Sequence, residues 1–198
     1  MAILLSAFNG IEGMISKLYT SFDAPITIQH QTRKTFFLRQ IDLDKLQKTK
    51  GVSAYSKELE ELVVLRKNQR WINANMHAVD AEFIRQAKVS AHLINHVGEP
   101  FLNQSNYVFL GADVFSKLKL GLGSAQNDIQ IYAPKRGMRM KLGKTPFHVQ
   151  QIDVAGALNY NQELNSNALL WNYTAATELF GQEGSVTRLH IYPEQSAS

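Results

Sequence analysis

The N-terminal end of the chain carries a hydrophobic stripe with helical spacing. Apolar residues recur at intervals of four, three, four, three and four positions, at Leu4, Phe8, Ile11, Ile15, Leu18 and Phe22. This repeat predicts an amphipathic helix of about 20 residues, roughly 30 Å long. Pro25 is expected to end it, because the residue before a proline avoids helical backbone angles. We therefore expect residues 1–23 to form a stalk whose contact face includes Leu4, Phe8, Ile11 and Ile15.

Short strands alternate with short helices after the stalk. A strand is predicted at Ile26–Gln29, and a hairpin is predicted from residues 52–66 and Arg70–Val79 because apolar and polar positions alternate in its second arm. Asp42 is expected to cap a helix that ends at Gly51. Three neighbouring acids of the first arm, Glu58, Glu60 and Glu61, are interpreted as a solvated strand face.

The second half of the chain repeats this alternation. A helix is predicted at 81–86, and a buried strand at 107–110 leads through Gly111 into a helix that carries Val114, Phe115 and Leu118 and ends at Gly121. Further strands are predicted at 128–133, 147–157, 167–171 and 185–192, with a helix at 174–180 ended by Gly181. The predicted fold class is α+β.

Positive charge is concentrated in one segment. The chain holds 21 Lys and Arg against 17 Asp and Glu, giving a net charge of +4. Residues 129–152 contain five of these cations and no acid, so the remainder of the chain has a net charge of −1. We expect residues 134–146 to form a protruding loop that binds a partner through Lys135, Arg136, Arg139, Met140, Lys141 and Lys144. A nucleic-acid partner is not expected, since such binders spread basic residues over a face with aromatic platforms.

Motifs for catalysis or cofactor binding are incomplete. The chain has no Cys, which excludes disulfides, zinc bound by thiolates and a cysteine nucleophile. Gly143-Lys144-Thr145 lacks the earlier glycine of a phosphate-binding loop. His92 and His96 could share one helix face, but no third metal ligand is evident nearby. No Gly-x-Ser-x-Gly elbow is present. We therefore expect neither enzymatic activity nor a cofactor or metal site.

The order of several short segments resembles one known family. They are residues 6–12 (SAFNGIE), 18–23 (LYTSFD), 46–52 (LQKTKGV), 79–80 (VD), 110–114 (LGADV), 129–137 (IQIYAPKRG) and 147–149 (FHV). In this order and spacing they resemble the extracytoplasmic domain of MacB-like, FtsX-like ABC-transporter permeases. Within that group they are most similar to the lipoprotein-releasing LolC/LolE permeases, especially the forms of Bacteroidetes. The resemblance covers nearly the whole chain.

The resemblance implies a specific architecture. A first transmembrane helix would end near Gly10 and continue as the stalk, and a second would begin just after Tyr192. A Porter-like lobe would comprise residues 24–79 and 159–195, and a Sabre-like lobe would be inserted at residues 80–158. In LolC-type permeases a loop of the Sabre lobe recruits a periplasmic lipoprotein chaperone. The corresponding residues 134–146 are basic here, in place of the Phe-Thr-Pro hook of LolC.

The resemblance also implies a function. The chain would be a non-catalytic domain on the periplasmic side of the inner membrane, coupling ATP hydrolysis by a separate cytoplasmic ATPase to lipoprotein release. Its partners would be that ATPase, a second permease subunit, a periplasmic protein or lipoprotein chaperone, and the lipoprotein cargo. The alternative is mechanotransmission to an envelope hydrolase or efflux partner without lipoprotein transport. A soluble hydrolase is disfavoured, because no nucleophile–base pattern is present.

Overall fold

The computed structural model describes residue 22 and residues 24–124, 126–135 and 146–194. Strands and helices alternate along the chain, and four single turns of 3-10 helix lie at Leu38–Gln40, Val89–His92, Ile94–His96 and Glu99–Phe101 within this part. The regular elements are β1 (Ile26–Gln29), β2 (Phe36–Phe37), α1 (Leu43–Gln47), β3 (Val52–Lys67), β4 (Arg70–Val79), α2 (Ala81–Gln86), β5 (Tyr107–Gly111), α3 (Ala112–Lys117), β6 (Asp128–Pro134), β7 (Phe147–Leu158), α4 (Gln162–Asn167), β8 (Ala168–Asn172), α5 (Tyr173–Phe180), β9 (Ser185–Val186) and β10 (Arg188–Pro193). The predicted mixture of helices and many short strands is confirmed.

Eight strands form one mixed sheet. Their order is β1-β10-β3-β4-β8-β5-β7-β6, and β6 also pairs with β3. The second pairing closes six strands, from β3 round to β6, into a ring. The β4–β8 and β5–β7 pairs are parallel, whereas β3–β4, β5–β8, β6–β7 and β3–β6 are antiparallel. β2 and β9 form a separate two-stranded ladder.

Strand β3 joins the two ends of this sheet. It has 16 residues, which correspond to about 50 Å of extended chain. Its first half pairs with β10, from Val52 opposite Pro193 to Glu58 opposite Arg188. Its far half pairs with β6 at residues 64–66. One continuous strand therefore connects β10 to the closed ring.

The core of the ring is built from the alternating apolar positions of these strands. On β3 the buried apolar residues Leu59, Val63 and Leu65 face inward, whereas Glu60, Leu62 and Val64 are more exposed. Helix α3 contributes to the same core. Leu110, in the strand that the sequence predicts to be buried, is buried, and so are Val114, Phe115 and Leu118 of the segment that follows it.

Leu118 provides a direct test of this core. Replacing Leu118 with Ala is expected to lower the free energy of unfolding by about 2–5 kcal/mol, because the side chain is fully buried and its removal leaves a cavity. Leu122 is 40% exposed, so Leu122→Ala should cost less than about 0.5 kcal/mol. Urea denaturation of both variants makes the comparison. Equal small losses would show that α3 is not part of the packed core.

Several element boundaries differ from the sequence prediction. Helix α1 ends at Gln47, four residues before Gly51, although Gly51 does have the expected positive φ of 88°. Helix α3 ends before Lys119, which takes the left-handed conformation expected for Gly121. Helix α4 was not predicted. The last predicted strand, 185–192, is broken at Thr187 into β9 and β10 because the two parts pair with different strands.

Both ends of the described chain meet in the sheet. β1 pairs with β10, with Ile26 opposite Ile191. Strands from both predicted lobes share the same sheet, since β8 lies between β4 and β5. The division into lobes at residues 24–79, 80–158 and 159–195 stays a prediction. The stalk, apart from Phe22, lies outside the described residues.

In the part of the chain that the structure describes, no helix combines the length and apolar character needed to cross a membrane.

Candidate functional site

The predicted partner-binding loop is described only at its base. Strands β6 and β7 stay paired up to Pro134 opposite Phe147, and the Lys135 N–H donates to the Pro146 carbonyl oxygen at 2.8 Å. The two ends of the loop are therefore held side by side. Lys135 is half-buried. The other predicted site residues, Arg136, Arg139, Met140, Lys141 and Lys144, and the stalk residues Leu4, Phe8, Ile11 and Ile15, lie outside the described residues.

A buried carboxylate is the centre of a polar network near the chain ends. Glu58 is 1% exposed, and its two oxygens accept hydrogen bonds from different histidines. His77 Nδ1 lies 2.7 Å from Oε1, and His190 Nε2 lies 2.7 Å from Oε2. Arg188 Nη1 contacts Oε2 at 3.2 Å, and its Nη2 pairs with Glu60 at 2.7 Å. The prediction that Glu58 and Glu61 lie on a solvated face is wrong, since both are buried.

Strand register explains how these residues meet. Glu58 lies opposite Arg188 of β10, and Glu60 lies opposite His77 of β4. Side chains two residues apart on a strand share a face, so His190 lies on the same face as Arg188. Three neighbouring strands thus direct one acid, one guanidinium and two imidazoles to one point. Sequence analysis missed this cluster because its members are separated by 19 to 132 positions.

The network keeps Glu58 ionised. Burial alone would raise the pKa of this carboxyl, but hydrogen bonds from His190 and His77 and their charges outweigh burial and hold it well below its usual value of 4.5. Burial would lower the pKa of Arg188, yet Glu58 and Glu60 raise it above its ordinary value. The carboxylate and guanidinium therefore form a charged pair that stabilises the junction of β10 with β3.

Acid should weaken the fold through Glu58. Folding lowers the pKa of this carboxyl. Its contribution to stability is therefore complete above the pKa that it has in the unfolded chain, and it is lost as the pH falls below that value. Between pH 5 and pH 3 the wild-type protein should therefore lose more stability than Glu58→Gln, by at most about 1.4 kcal/mol per pH unit. Urea titrations of both proteins at several pH values measure the difference in their free energy of unfolding. The other carboxyls contribute equally to both proteins, so their contributions cancel in this difference. Parallel curves for the two proteins would show that folding does not lower the pKa of Glu58.

An open cavity of about 440 Å³ lies beside this network. Its polar lining includes Glu60, Asn75 and Glu163, and its apolar lining includes Phe22 and Leu164. Among the described residues, no group of three or more His, Asp or Glu side chains is arranged to hold a metal ion. His77 and His190 are hydrogen-bonded to the Glu58 carboxylate and not to a hydroxyl. The buried Ser56 hydroxyl is paired with the Tyr192 hydroxyl at 3.1 Å. This geometry favours a structural role for the network.

Phe22 attaches the N-terminal segment to this site. It is 7% exposed, and its ring lies edge-on to His77 at 5.1 Å, Phe83 at 5.0 Å and Tyr160 at 5.3 Å between centroids. It belongs to a second apolar cluster, formed on the other side of the sheet by residues of β4, β5, β7, β8, α2 and the following 3-10 turns. The sequence signal for this contact is the position of Phe22 as the last member of the stalk stripe.

His92 and His96 do not share one helix face. The two residues lie in separate 3-10 turns, and Asn95 between them has a left-handed backbone conformation. His92 stacks on Tyr160 with 3.7 Å between ring centroids, whereas His96 Nδ1 lies 3.7 Å from Glu99. The histidines therefore face different neighbours.

Two solved structures share the architecture of this chain. One is the extracellular domain of the noncanonic ABC-type transporter YknZ from Gram-positive bacteria, with a TM-score of 0.55, 13% identity, and coverage of 86% of this chain and 85% of that one. The other is the periplasmic region of MacB from Actinobacillus actinomycetemcomitans, with a TM-score of 0.54, 11% identity, and coverage of 86% and 68%.

The chain has the fold of these two transporter domains. No protein-family model and no curated protein sequence matches it. At 11% and 13% identity the likeness concerns the fold, and individual residues carry no common role.

Proposed function

We propose that the chain is the non-catalytic extracytoplasmic domain of an ABC-transporter permease, anchored in the inner membrane and facing the periplasm. The observation that carries this proposal is the likeness of 86% of the chain to the extracellular domain of one ABC-type transporter. Fold alone does not define a function, so the proposal also needs a physical route for motion through the domain.

The sheet supplies such a route. β1 and β10 lie side by side, so flanking membrane segments would enter and leave at one place. β10 is paired with the first half of β3, and β1 is attached to it through β10. The far half of β3 is part of the closed ring. A displacement at the chain ends would be carried along β3 to the far end as a rigid-body movement. Rigid-body motion suits a domain driven by an ATPase on the other side of the membrane.

The buried network stabilises the base of this route. Glu58 connects β3 with β4 through His77 and with β10 through His190 and Arg188. Phe22 packs against His77 and would connect the stalk to the same point. Because interior packing is dense and resists compression, a shift of the stalk would move the whole sheet.

The work done by this motion is proposed to be lipoprotein release. The partners would be a cytoplasmic ATPase, a second permease subunit, a lipoprotein cargo and a periplasmic protein or chaperone received by the basic loop, residues 134–146. The sequence resemblance to lipoprotein-releasing permeases supports this choice of cargo.

Depletion of the full-length protein in its native bacterium tests the proposed cargo. Inner and outer membranes are then separated, and lipoproteins are quantified in each fraction. The proposal predicts that lipoproteins accumulate in the inner membrane. Normal sorting together with altered cell-wall hydrolysis or altered efflux would favour mechanotransmission without lipoprotein transport.

A further inference from the structure

The cavity beside the Glu58 network has a polar floor. Strands β1, β10, β3 and β4 are neighbours in the sheet, and each contributes two alternate side chains to this floor, all of them polar. Thr27 and Gln29 of β1 and Asn75 of β4 thereby extend the surface that the network forms. The floor differs from an ordinary solvated sheet face, because Glu58 and His77 within it are buried. A concave surface with convergent polar groups is typical of a ligand site.

Two walls border this floor. One is the Phe22 ring, which is held by three aromatic neighbours. The other is helix α4, whose Glu163, Leu164 and Asn167 line the cavity. The start of this helix is fixed by its N-cap, since the Asn161 side chain accepts a hydrogen bond from the Leu164 N–H at 2.8 Å. The volume of about 440 Å³ lies within the usual range of small-molecule sites.

Several polar groups that line the cavity lack a partner in the described part of the chain. The Asn75 and Asn167 side chains are half-buried and form no hydrogen bond with any described residue. His77 is 8% exposed, and of its two ring nitrogens only Nδ1 is hydrogen-bonded to a described residue. Buried polar groups in folded proteins are nearly always paired. These groups are therefore available to a ligand that forms hydrogen bonds.

The charge of the cavity is negative. Three carboxylates and one guanidinium line it. The guanidinium belongs to Arg188 and is already paired with Glu58 at 3.2 Å and with Glu60 at 2.7 Å. Glu163 forms no ion pair with any residue that the structure describes. A cleft with an excess of one sign of charge attracts ligands of the opposite sign, so a cation fits here and an anion does not.

The groups present suit an organic cation better than a metal ion. Among the described residues, no group of His, Asp and Glu side chains is arranged to hold a metal. An ammonium group needs only separate acceptors for its three donors. Glu163 offers a carboxylate, and Asn75 and Asn167 offer amide oxygens. The amide N–H groups of the same two side chains can donate to hydroxyl or carbonyl oxygens of a ligand.

We propose that this cavity binds a small hydrophilic molecule that carries one primary ammonium group. The ammonium group would pair with Glu163, and hydroxyl or amide groups of the molecule would bond to Asn75 and Asn167. An amino sugar and a lysine side chain with its backbone amides both have this chemistry. The proposal goes beyond the transport function, since neither force transmission nor the loop at residues 134–146 requires a ligand at this place. A bound ligand would stabilise the junction of β10, β3 and β4 by mass action.

Isothermal titration calorimetry with the 198-residue chain tests the proposal. The charged probes are glucosamine and Nα-acetyl-lysine amide, and their uncharged counterparts are N-acetylglucosamine and Nα,Nε-diacetyl-lysine amide. We expect one charged probe to bind about tenfold more tightly than its uncharged counterpart, because only the charged form pairs with Glu163. The probe that binds distinguishes an amino sugar from a lysine. The melting temperature of the protein should rise in its presence.

Two variants separate the charge from the hydrogen bonds. Glu163→Gln removes the charge of an exposed side chain, so it should weaken binding of the charged probe about tenfold and leave binding of the uncharged one unchanged. Asn75→Ala removes an amide, so it should weaken binding of both forms alike. Glu178→Gln is the matched control and should bind like wild type, because Glu178 is an exposed glutamate of α5 that does not line the cavity. Circular dichroism confirms that each variant is folded.

Three results would overturn the proposal. The first is no binding of either charged probe, which would leave a cavity filled by water. The second is equal binding of a charged probe and its uncharged counterpart by the wild-type protein. The third is binding that Glu163→Gln and Asn75→Ala reduce no more than Glu178→Gln does, which would place the probe elsewhere on the protein. None of these results bears on lipoprotein release, which the depletion experiment tests separately.

Discussion

Replacing Glu58 with Ala should lower the free energy of unfolding by about 3–5 kcal/mol, as expected when one member of a buried charged network is removed. Among the described residues, the variant leaves Arg188 with Glu60 as its remaining carboxylate contact, and it leaves His77 and His190 without the carboxylate that accepts their hydrogen bonds. The junction of β3 with β4 and β10 would then contain buried polar groups without partners, which is the costly situation. Urea denaturation at pH 7 provides the measurement.

Two further variants make this result specific. Glu58→Gln keeps the shape and some hydrogen bonds but removes the charge, so its loss should lie between those of wild type and Glu58→Ala. Arg85→Ala removes an exposed pair with Glu82 and should cost less than about 1 kcal/mol. If Glu58→Ala is no more destabilising than Arg85→Ala, the network does not stabilise the sheet.

Charge reversal in the basic loop should reduce transport without affecting the fold. In the full-length protein, Arg136→Glu, Arg139→Glu and Lys141→Glu together should lower lipoprotein release about tenfold, because an acidic partner would meet like charge. The isolated domain should keep its free energy of unfolding within about 0.5 kcal/mol, as expected for surface substitutions. Release is followed by membrane fractionation and stability by urea denaturation.

A matched triple variant controls for net charge. Lys48, Lys50 and Lys117 are exposed and have no ion pair among the described residues, so reversing them changes the charge by the same amount elsewhere. This control should release lipoproteins normally. Equal loss in both triple variants, or normal release by the loop variant, would mean that the loop is not the recruitment site.

The sequence predicted the parts of the fold that depend on neighbouring residues. Strand Ile26–Gln29 and helix α2 have the predicted boundaries, because alternation in the first and the Asp80 cap in the second act over a few positions. The end of α5 at Gly181 was also predicted, and this residue has the left-handed conformation that favours glycine.

The missed features depend on contacts between distant residues. Helix α4 has six residues and lies against β5, where a side chain on Gly111 would collide with the Leu164 carbonyl oxygen. Closure of the ring by β3 and β6 needs Val64 opposite Tyr132, 68 positions away. The Glu58 network likewise requires β4 and β10 in register with β3. Local patterns contain none of this information.

The candidate site likewise has one part that the sequence predicts and another that depends on contacts between distant residues. The sequence predicts the basic loop because five cations lie within ten residues of one another. The structure adds that the ends of this segment are joined at Lys135 and Pro146. Sequence patterns give no sign that Arg66, Trp71 and Tyr132 are neighbours, since they meet only when β4, β3 and β6 pair.

The most direct test of the account is ATP-driven release from proteoliposomes. The full-length protein and its ATPase are reconstituted with a fluorescent lipoprotein, and the lipoprotein that appears in the soluble fraction is measured. In a matched sample residues 24–194 are replaced by a Gly-Ser linker. The account predicts ATP-dependent release by the intact protein and none by the shortened one, while ATP hydrolysis continues in both. Equal release with and without residues 24–194 would contradict it.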